Sequence, residues 1–221
     1  MPGEISPAWT TPPQTLSKAQ VKQKDAITKE AIKINSPLLF DMFENISKDE
    51  KQIILDISQA NGSSLKYLAD FWCKIYLTNT INEFYSLESS SINTPHKWHR
   101  ALVRTIGFYK NDKANIDIML LWGLPNYLNA EQIRGLISYL LPQCSKKSQL
   151  HMYIFNSELM LKKPANYSIL NNKVSIGQQQ LTEEINCPMF NLNDLQKHLS
   201  PFKLDHSVML SSGIQEYVFR L

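Results

Sequence analysis

The sequence contains few glycines and few cysteines, and both shortages narrow the class of protein to which it can belong. Only 7 glycines stand against 11 prolines, which argues against a glycine-rich fold. The three cysteines, Cys73, Cys144 and Cys187, are isolated and odd in number, without a Cys-x-x-Cys pair or a Cys/His ligand spacing. We therefore expect reduced thiols in a cytoplasmic compartment, with neither a disulfide framework nor a metal site.

Long apolar runs and a strong net charge are also missing. No stretch approaches the roughly 18 consecutive apolar residues of a membrane-spanning helix, and Met1-Pro2-Gly3-Glu4 does not begin a signal peptide. The net charge of +3 and the pI of about 8.6 are too mild to indicate a nucleic-acid partner. The sequence predicts a globular protein without a membrane partner, and it leaves open whether a small molecule or another protein binds to it.

The first thirty residues differ from the rest of the chain. Four prolines fall within the first thirteen residues, and a Lys- and Gln-rich run with few large apolar groups follows. Residues 1–30 are therefore expected to form a disordered or loosely helical lead, and residues 19–34 have a pattern that a helix could adopt. Residues 31–221 form the expected domain, with a helix start at Ser36 as N-cap and Pro37 as first residue.

From residue 52 onward, strand-like and helix-like patterns alternate. Strands are predicted at about 52–58, 73–78, 116–122 and 150–155, and helices at about 64–71, 94–106, 129–141 and 191–199. This alternation is typical of parallel βαβ units. Residues 157–190 interrupt it as an insertion, which contains a hairpin with an Asn171-Asn172 turn. Two final strands around Ser211-Ser212-Gly213 predict an antiparallel hairpin over 205–221.

The stretch Asp56-Ile57-Ser58-Gln59-Ala60-Asn61-Gly62 joins the first of these strands to a helix. A strand, a glycine turn and a helix N-terminus direct backbone N–H groups at one point, which suits a nucleotide-like ligand. The ends of the neighbouring strands, Thr78-Asn79 and Trp122-Gly123-Leu124-Pro125-Asn126-Tyr127, should lie at the same edge of the sheet.

With these landmarks, roughly residues 36–221 resemble the class I S-adenosylmethionine-dependent methyltransferase-like superfamily. The resemblance implies an α/β fold with a three-layer, Rossmann-like sheet that is mostly parallel and has an antiparallel C-terminal strand. The C-terminal hairpin is the more specific feature, because an ordinary dinucleotide-binding domain does not end in that way. For the third strand of the family's sheet, the sequence offers only residues 105–109 as a candidate.

The resemblance implies an S-adenosylmethionine site whose motifs are partly altered. Asp56 and Gly62 match the acidic strand end and the glycine turn, but Ser58 replaces the first glycine, so that its Cβ narrows the approach to the cofactor. Thr78 or Asn79 stands where the family has an acid that accepts from the ribose hydroxyls. A neutral acceptor is weaker by roughly 1 kcal/mol. Ser58→Gly with Thr78→Asp is therefore expected to tighten a weak site about tenfold.

Residues of the loop after the predicted strand 116–122 complete the implied site. Trp122 and Leu124 are expected beside the cofactor, and Pro125 and Tyr127 at the mouth for the substrate. The alternative for Trp122 and Tyr127 is packing in the core or at its rim. The Asn/Asp-Pro-Pro-Tyr/Trp motif of amino-methylating nucleic-acid enzymes is absent, and no catalytic residue is assigned.

Other titratable residues do not form a recognisable site. His96 and His99 lie in the most basic stretch and can share a helix face, but no third metal ligand is apparent nearby. A solvated helix face and contact with an anionic substrate or partner remain open for them. His151 and Glu216 lie on predicted strands and are interpreted as structural residues.

Two function classes remain open from the sequence. The first is a methyltransferase that transfers a methyl group from S-adenosylmethionine to a small-molecule acceptor. The second is a catalytically inactive methyltransferase-fold protein with a binding or regulatory role. The retained Asp56, Gly62 and loop 122–128 favour the first, and the altered Ser58 and Thr78 favour the second.

Overall fold

A mixed sheet with helices around it forms the centre of the protein. The structure is a computed structural model, and it describes residues 31–86, 94–108, 113–177 and 183–221. The strands in these ranges are β1 (Ile32–Ile34), β2 (Gln52–Asp56), β3 (Cys73–Leu77), β4 (Ile116–Trp122), β5 (Cys144–Phe155), β6 (Leu159–Leu161), β7 (Asn166–Leu170), β8 (Lys173–Gly177), β9 (Glu184–Asn186), β10 (Lys203–Met209) and β11 (Ile214–Arg220). The α-helices are α1 (Pro37–Glu44), α2 (Gly62–Leu68), α3 (Thr80–Ser86), α4 (Pro95–Ile106), α5 (Ala130–Leu140) and α6 (Leu192–Leu199).

Within the described residues the central sheet has six strands in the order β10–β11–β5–β4–β2–β3. β2 pairs in parallel with β3 and β4, and β4 pairs in parallel with β5. β11 lies between β5 and β10 and is antiparallel to both. The expected C-terminal hairpin is therefore confirmed, and its last strand is inserted into the sheet.

The core surrounds the middle strands. All seven residues of β4 are buried, so this strand is covered on both faces of the sheet. That burial explains why β4 is an almost continuous apolar run rather than an alternating one. On the helices, α1 meets α2 through Phe43 and Tyr67, whose rings are in edge contact at 5.6 Å, while α4 packs on α5 and α5 on α6.

The insertion forms two small antiparallel sheets. β7 and β8 make the expected hairpin around Asn171-Asn172, with Asn171 at a φ of 53°. β1 adds to this hairpin by pairing with β8, which gives the order β1–β8–β7. β6 and β9 form the second small sheet. The hairpin prediction is therefore confirmed, but the sequence did not indicate that residues 32–34 would join it.

Two local predictions are wrong. A strand at 105–109 is excluded because Thr105 and Ile106 end α4, and Gly107 caps it with a φ of 74°; Tyr109 lies outside the described residues. A helix over 19–34 does not reach Ile34, because Ile32–Ile34 is paired with β8; residues 19–30 lie outside the description. The predicted helix start is confirmed, because Ser36 is the N-cap and Pro37 the first residue of α1, although the Ser36 side chain makes no capping hydrogen bond.

None of the helices in the described ranges is long and apolar enough to cross a membrane. The same ranges contain no group of three or more His, Cys, Asp or Glu side chains placed to hold a metal ion. Cys73, Cys144 and Cys187 are unpaired, and burial raises the pKa of all three thiols above its ordinary value.

Candidate functional site

The carboxyl ends of β2, β3 and β4 meet at one edge of the sheet. β2 ends at Asp56 and β4 at Trp122, and Thr78 and Asn79 follow the end of β3. The Thr78 N–H donates to the Asp56 carbonyl oxygen at 3.2 Å, which continues the pairing beyond the strand ends. The structure thus brings together the residues that the resemblance implies for a cofactor.

Trp122 turns its side chain onto the end of β2. Its φ of 48° lies in the left-handed region, which costs a bulky residue about 1–3 kcal/mol. Nε1 of the fully buried indole donates to Oδ1 of Asp56 at 2.7 Å. Such a charge-assisted hydrogen bond is stronger than a neutral one, and it helps to hold the strained backbone in place.

The Asp56 carboxylate accepts hydrogen bonds from donors within the protein. The residue is 1% exposed, and its Oδ1 also accepts the backbone N–H of Ser58 at 2.8 Å. Burial raises the pKa of Asp56 above its ordinary value, and the hydrogen bonds from Trp122 and Ser58 partly oppose this rise. Both donors therefore stabilise a carboxylate that the low-dielectric surroundings disfavour.

Two tyrosine rings continue the aromatic cluster that Trp122 begins. The Trp122 and Tyr167 rings are stacked, with centroids 5.2 Å apart and planes at 14°. Tyr167 stacks in turn on Tyr153 at 5.9 Å. All three side chains are buried, and burial is the main cause that raises the pKa of both tyrosines. We refer to Trp122, Tyr153 and Tyr167 as the aromatic cluster.

Tyr167 reaches the cluster because the β7–β8 hairpin lies over the turn after β2. Nδ2 of Asn61 donates to the Tyr167 carbonyl oxygen at 3.0 Å, and the Ile169 N–H donates to Oγ of Ser64 at 2.9 Å. Asn61 also caps α2 by accepting the Ser64 N–H. The N-terminus of α2, where an anionic or nucleotide ligand would be expected, is therefore in contact with the hairpin.

Neither the available space nor the backbone conformation requires glycine at position 62 of the turn after β2. Gly62 lies exposed at the start of α2, its φ is not positive, and an added Cβ would meet nothing within 4 Å. Gly123, after β4, is different, because an added Cβ there would clash with the Tyr167 hydroxyl. The close approach at this edge is thus between Gly123 and the aromatic cluster.

Thr78 and Asn79, which were expected near a ribose, form hydrogen bonds with neighbouring residues of the chain. Oγ1 of Thr78 lies 2.6 Å from Oγ1 of Thr80, within hydrogen-bonding distance. Asn79 has a φ of 48°, and its Oδ1 accepts from Nδ2 of Asn82 at 2.8 Å. Both residues are half-buried, so they retain some access to solvent.

The residues expected at the cofactor and the substrate mouth are used in packing. Leu124 and Pro125 are buried in a 3₁₀ turn after β4. Tyr127 is half-buried, and its hydroxyl donates to the Leu161 carbonyl oxygen of β6 at 3.0 Å. These positions connect the loop after β4 to the insertion.

A buried polar network lies next to the aromatic cluster. Two of its residues, His151 and Glu216, were interpreted from the sequence only as structural. Oε1 of Glu216 accepts from Oγ of Ser36 at 2.5 Å, the Leu39 N–H at 3.0 Å and Nε2 of His151 at 2.8 Å. Ser36 also lies 2.7 Å from the Tyr153 hydroxyl. The signal in the sequence was a glutamate directly before Tyr217-Val218-Phe219 of β11, but its partners come from distant parts of the chain.

Comparisons with known proteins found similar solved structures but no related sequence. No protein-family model and no curated protein matches the chain. It is similar to the solved structure of a 1,6-didemethyltoxoflavin-N1-methyltransferase from Burkholderia thailandensis with bound S-adenosylhomocysteine, at 10% identity and a TM-score of 0.43 over 98% of this chain and 92% of that one. It is also similar to a SAM-dependent methyltransferase from Aquifex aeolicus, at 11% identity and a TM-score of 0.46 over 93% of this chain and 99% of that one.

The fold assignment rests on the order and directions of the strands rather than on these values. Parallel strands β3, β2, β4 and β5 are followed by β11, which is antiparallel and lies between β5 and β10. The chain therefore has a Rossmann-like α/β fold whose mostly parallel sheet carries an antiparallel C-terminal strand pair, as the resemblance described in the sequence analysis implies.

Proposed function

We propose that this chain is a methyltransferase-fold protein with a binding or regulatory role that does not use S-adenosylmethionine. The observation that carries the proposal is the 2.7 Å hydrogen bond from the Trp122 indole to the Asp56 carboxylate. In the family that the sequence resembles, the acid at this strand end belongs to the cofactor site. Here the same acid holds a buried side chain of the protein.

The energetic cost of opening this edge supports the proposal. A ligand across residues 56–62 would have to displace the Trp122 indole, which is stacked on Tyr167. Exposing a large apolar side chain costs about 1.5–3 kcal/mol, and leaving Asp56 without this donor costs about 1–3 kcal/mol. A ligand must supply both in addition to the ordinary cost of association. The residues present therefore do not fit the cofactor.

The retention of Asp56 favours one competing function. In that function the chain is an active methyltransferase acting on a small molecule, and Trp122 moves aside when S-adenosylmethionine binds. The two functions differ in whether the wild-type protein binds the cofactor or its product at all.

Calorimetric titration and thermal unfolding with S-adenosylhomocysteine and S-adenosylmethionine test the proposal. We expect no binding heat and no rise in Tm for the wild type at millimolar ligand. A working site at a hundredfold ligand excess over Kd would stabilise the protein by about 2.7 kcal/mol, so it would be detected. A raised Tm of the wild type would contradict the proposal and support the active enzyme.

A series of variants distinguishes two causes of lost cofactor binding, the altered motif and the aromatic cluster. Ser58→Gly with Thr78→Asp restores the family pattern but leaves Trp122 in place, so we expect no binding. This expectation replaces the tenfold gain that the sequence suggested. Binding that appears only when Trp122→Ala is added would identify the indole as the obstacle, whereas binding by the double variant would attribute the loss to the motif.

A further inference from the structure

A cavity of about 350 Å³ lies between α4 and α5. Its size falls within the range of about 300–1,000 Å³ that is typical of small-molecule sites. The walls include Trp98, His99 and Leu102 of α4 and Glu131, Ser138 and Tyr139 of α5. None of its lining residues belongs to the aromatic cluster or to the turn 56–62, so this cavity is independent of the function proposed above.

Trp98, which is 3% exposed, packs against Gly135 at the border of the cavity. Glycine in a helix interior costs about 1 kcal/mol relative to alanine, and Gly135 lies inside α5. An added Cβ at this position would lie 2.7 Å from Cδ1 of Trp98. The absence of a side chain at Gly135 therefore allows the Trp98 indole to lie directly against α5.

The aromatic walls are held in place before any ligand arrives. Nε1 of Trp98 donates to the Gln132 carbonyl oxygen at 2.9 Å, and its ring packs against Phe84 at 4.5 Å. The Tyr139 hydroxyl accepts the Phe108 N–H at 3.2 Å, and the Tyr139 ring is in edge contact with His99. A site with fixed walls loses little conformational entropy on binding.

Two polar groups at the rim remain available. The Glu131 and Ser138 side chains are exposed, and within the described ranges neither makes a side-chain hydrogen bond or an ion pair. Glu131 is the acidic residue of the lining, and His99 and Tyr139 are its other titratable residues. Lys97 and Arg100, also on α4, are outside the lining. The cavity thus combines two fixed aromatic rings with one free carboxylate.

We propose that this cavity binds a small planar aromatic molecule that carries an amine or another N–H donor. The ring of the ligand lies against Tyr139 and beside the edge of Trp98, and its donor is held by the Glu131 carboxylate. Aromatic stacking supplies contact area, and a hydrogen bond to a charged acceptor supplies orientation. The proposal goes beyond the function above, because it locates a ligand on the helical face rather than at the sheet edge.

Three probes with one indole ring and different charge test this proposal: tryptamine, tryptophol and indole-3-acetate. Binding is followed by two-dimensional ¹H–¹⁵N spectra of the four tryptophan indole N–H groups, with Trp9→Phe, Trp72→Phe and Trp122→Phe for assignment. We expect tryptamine to shift the Trp98 signal and to bind about tenfold more tightly than tryptophol, because its ammonium forms a charge-assisted hydrogen bond. Indole-3-acetate should bind least, since its carboxylate is repelled by Glu131.

Matched variants make the test specific to the cavity. Ser138→Phe fills the cavity and should weaken tryptamine binding at least about tenfold, whereas Val103→Phe, at an exposed position of α4 outside the lining, should change it less than about twofold. Glu131→Gln should reduce tryptamine binding to the level of tryptophol. Equal binding of indole-3-acetate, a silent Trp98 signal with all three probes, or equal effects of Ser138→Phe and Val103→Phe would each overturn the proposal.

Discussion

A single buried residue, Glu216 of β11, connects the central sheet to α1. Glu216 is fully buried, and its carboxylate accepts from Ser36, Leu38, Leu39 and His151. Burial alone would raise the pKa of Glu216, but the hydrogen bond and charge interaction with His151 and the hydrogen bonds from Ser36 and Leu39 outweigh it and lower the pKa. The charged form is thus the one that the fold stabilises.

This balance predicts how the stability changes with pH. Because the folded pKa of Glu216 lies below its ordinary value of 4.5, the carboxylate stabilises the fold above that pH. The contribution is lost as the pH falls from there through the lower folded pKa. Glu216→Gln should lower the free energy of unfolding by about 3 kcal/mol at neutral pH, because the new amide turns a donor toward the Leu38 N–H and the charge opposite His151 is removed. Urea unfolding over the acidic range measures both effects.

Glu50 provides the matched control for this glutamate substitution. Its pKa is also lowered, through a hydrogen bond from Lys147, but both side chains are exposed to solvent. Glu50→Gln should therefore leave the stability nearly unchanged, since exposed ion pairs contribute little. Equal losses in the two variants would show that burial does not govern the Glu216 network.

At the scale of elements, the β7–β8 hairpin determines what lies at the carboxyl edge. It contributes Tyr167 to the aromatic cluster and bonds to Asn61 and Ser64 of the turn and helix after β2. Gly123 allows this approach, whereas Gly62 faces open space. Of these two glycines, only the one after β4 is therefore required for packing.

Alanine substitutions at these two glycines test the role of the hairpin. Gly123→Ala should destabilise the protein by about 1–3 kcal/mol, because its Cβ overpacks against the Tyr167 hydroxyl and the Phe155 ring. Gly62→Ala should change the stability by less than about 0.5 kcal/mol, since it adds a good helix former at an exposed helix start. Thermal unfolding of both variants gives the comparison. A larger loss for Gly62→Ala would indicate that the turn needs glycine after all.

The elements were predictable from the sequence to the extent that their signals are local. The strand at 116–122 and the helix start at Asn129 were predicted at or within one residue of β4 and α5, because an apolar run and a capping side chain lie within the element itself. The contact of Tyr167 with Trp122 could not be predicted, since it joins residues from an insertion and a distant strand. Asp56 and Trp122 were expected at one edge, but their hydrogen bond to each other depends on the left-handed φ of Trp122.

At the scale of the whole molecule, the segment before α1 connects the insertion to the central sheet. β1 pairs with β8 of the insertion, and Ile34 is buried. Two residues later, Ser36 is bonded to Glu216 of β11 and lies beside Tyr153 of β5. Residues 32–36 are therefore part of the folded domain, and we expect the boundary of the domain before them.

Two truncations locate that boundary. Removal of residues 1–30, which lie outside the described ranges, is expected to leave the Tm unchanged, because the sequence of this segment has four early prolines and few large apolar groups. Removal of residues 1–36 should lower the Tm clearly, since it deletes the β1–β8 pairing, the buried Ile34 side chain and the Ser36 donor to Glu216. Each lost buried hydrogen bond alone costs about 0.5–1.5 kcal/mol. Similar Tm losses in the two truncated proteins would show that residues 1–30 also pack against the domain.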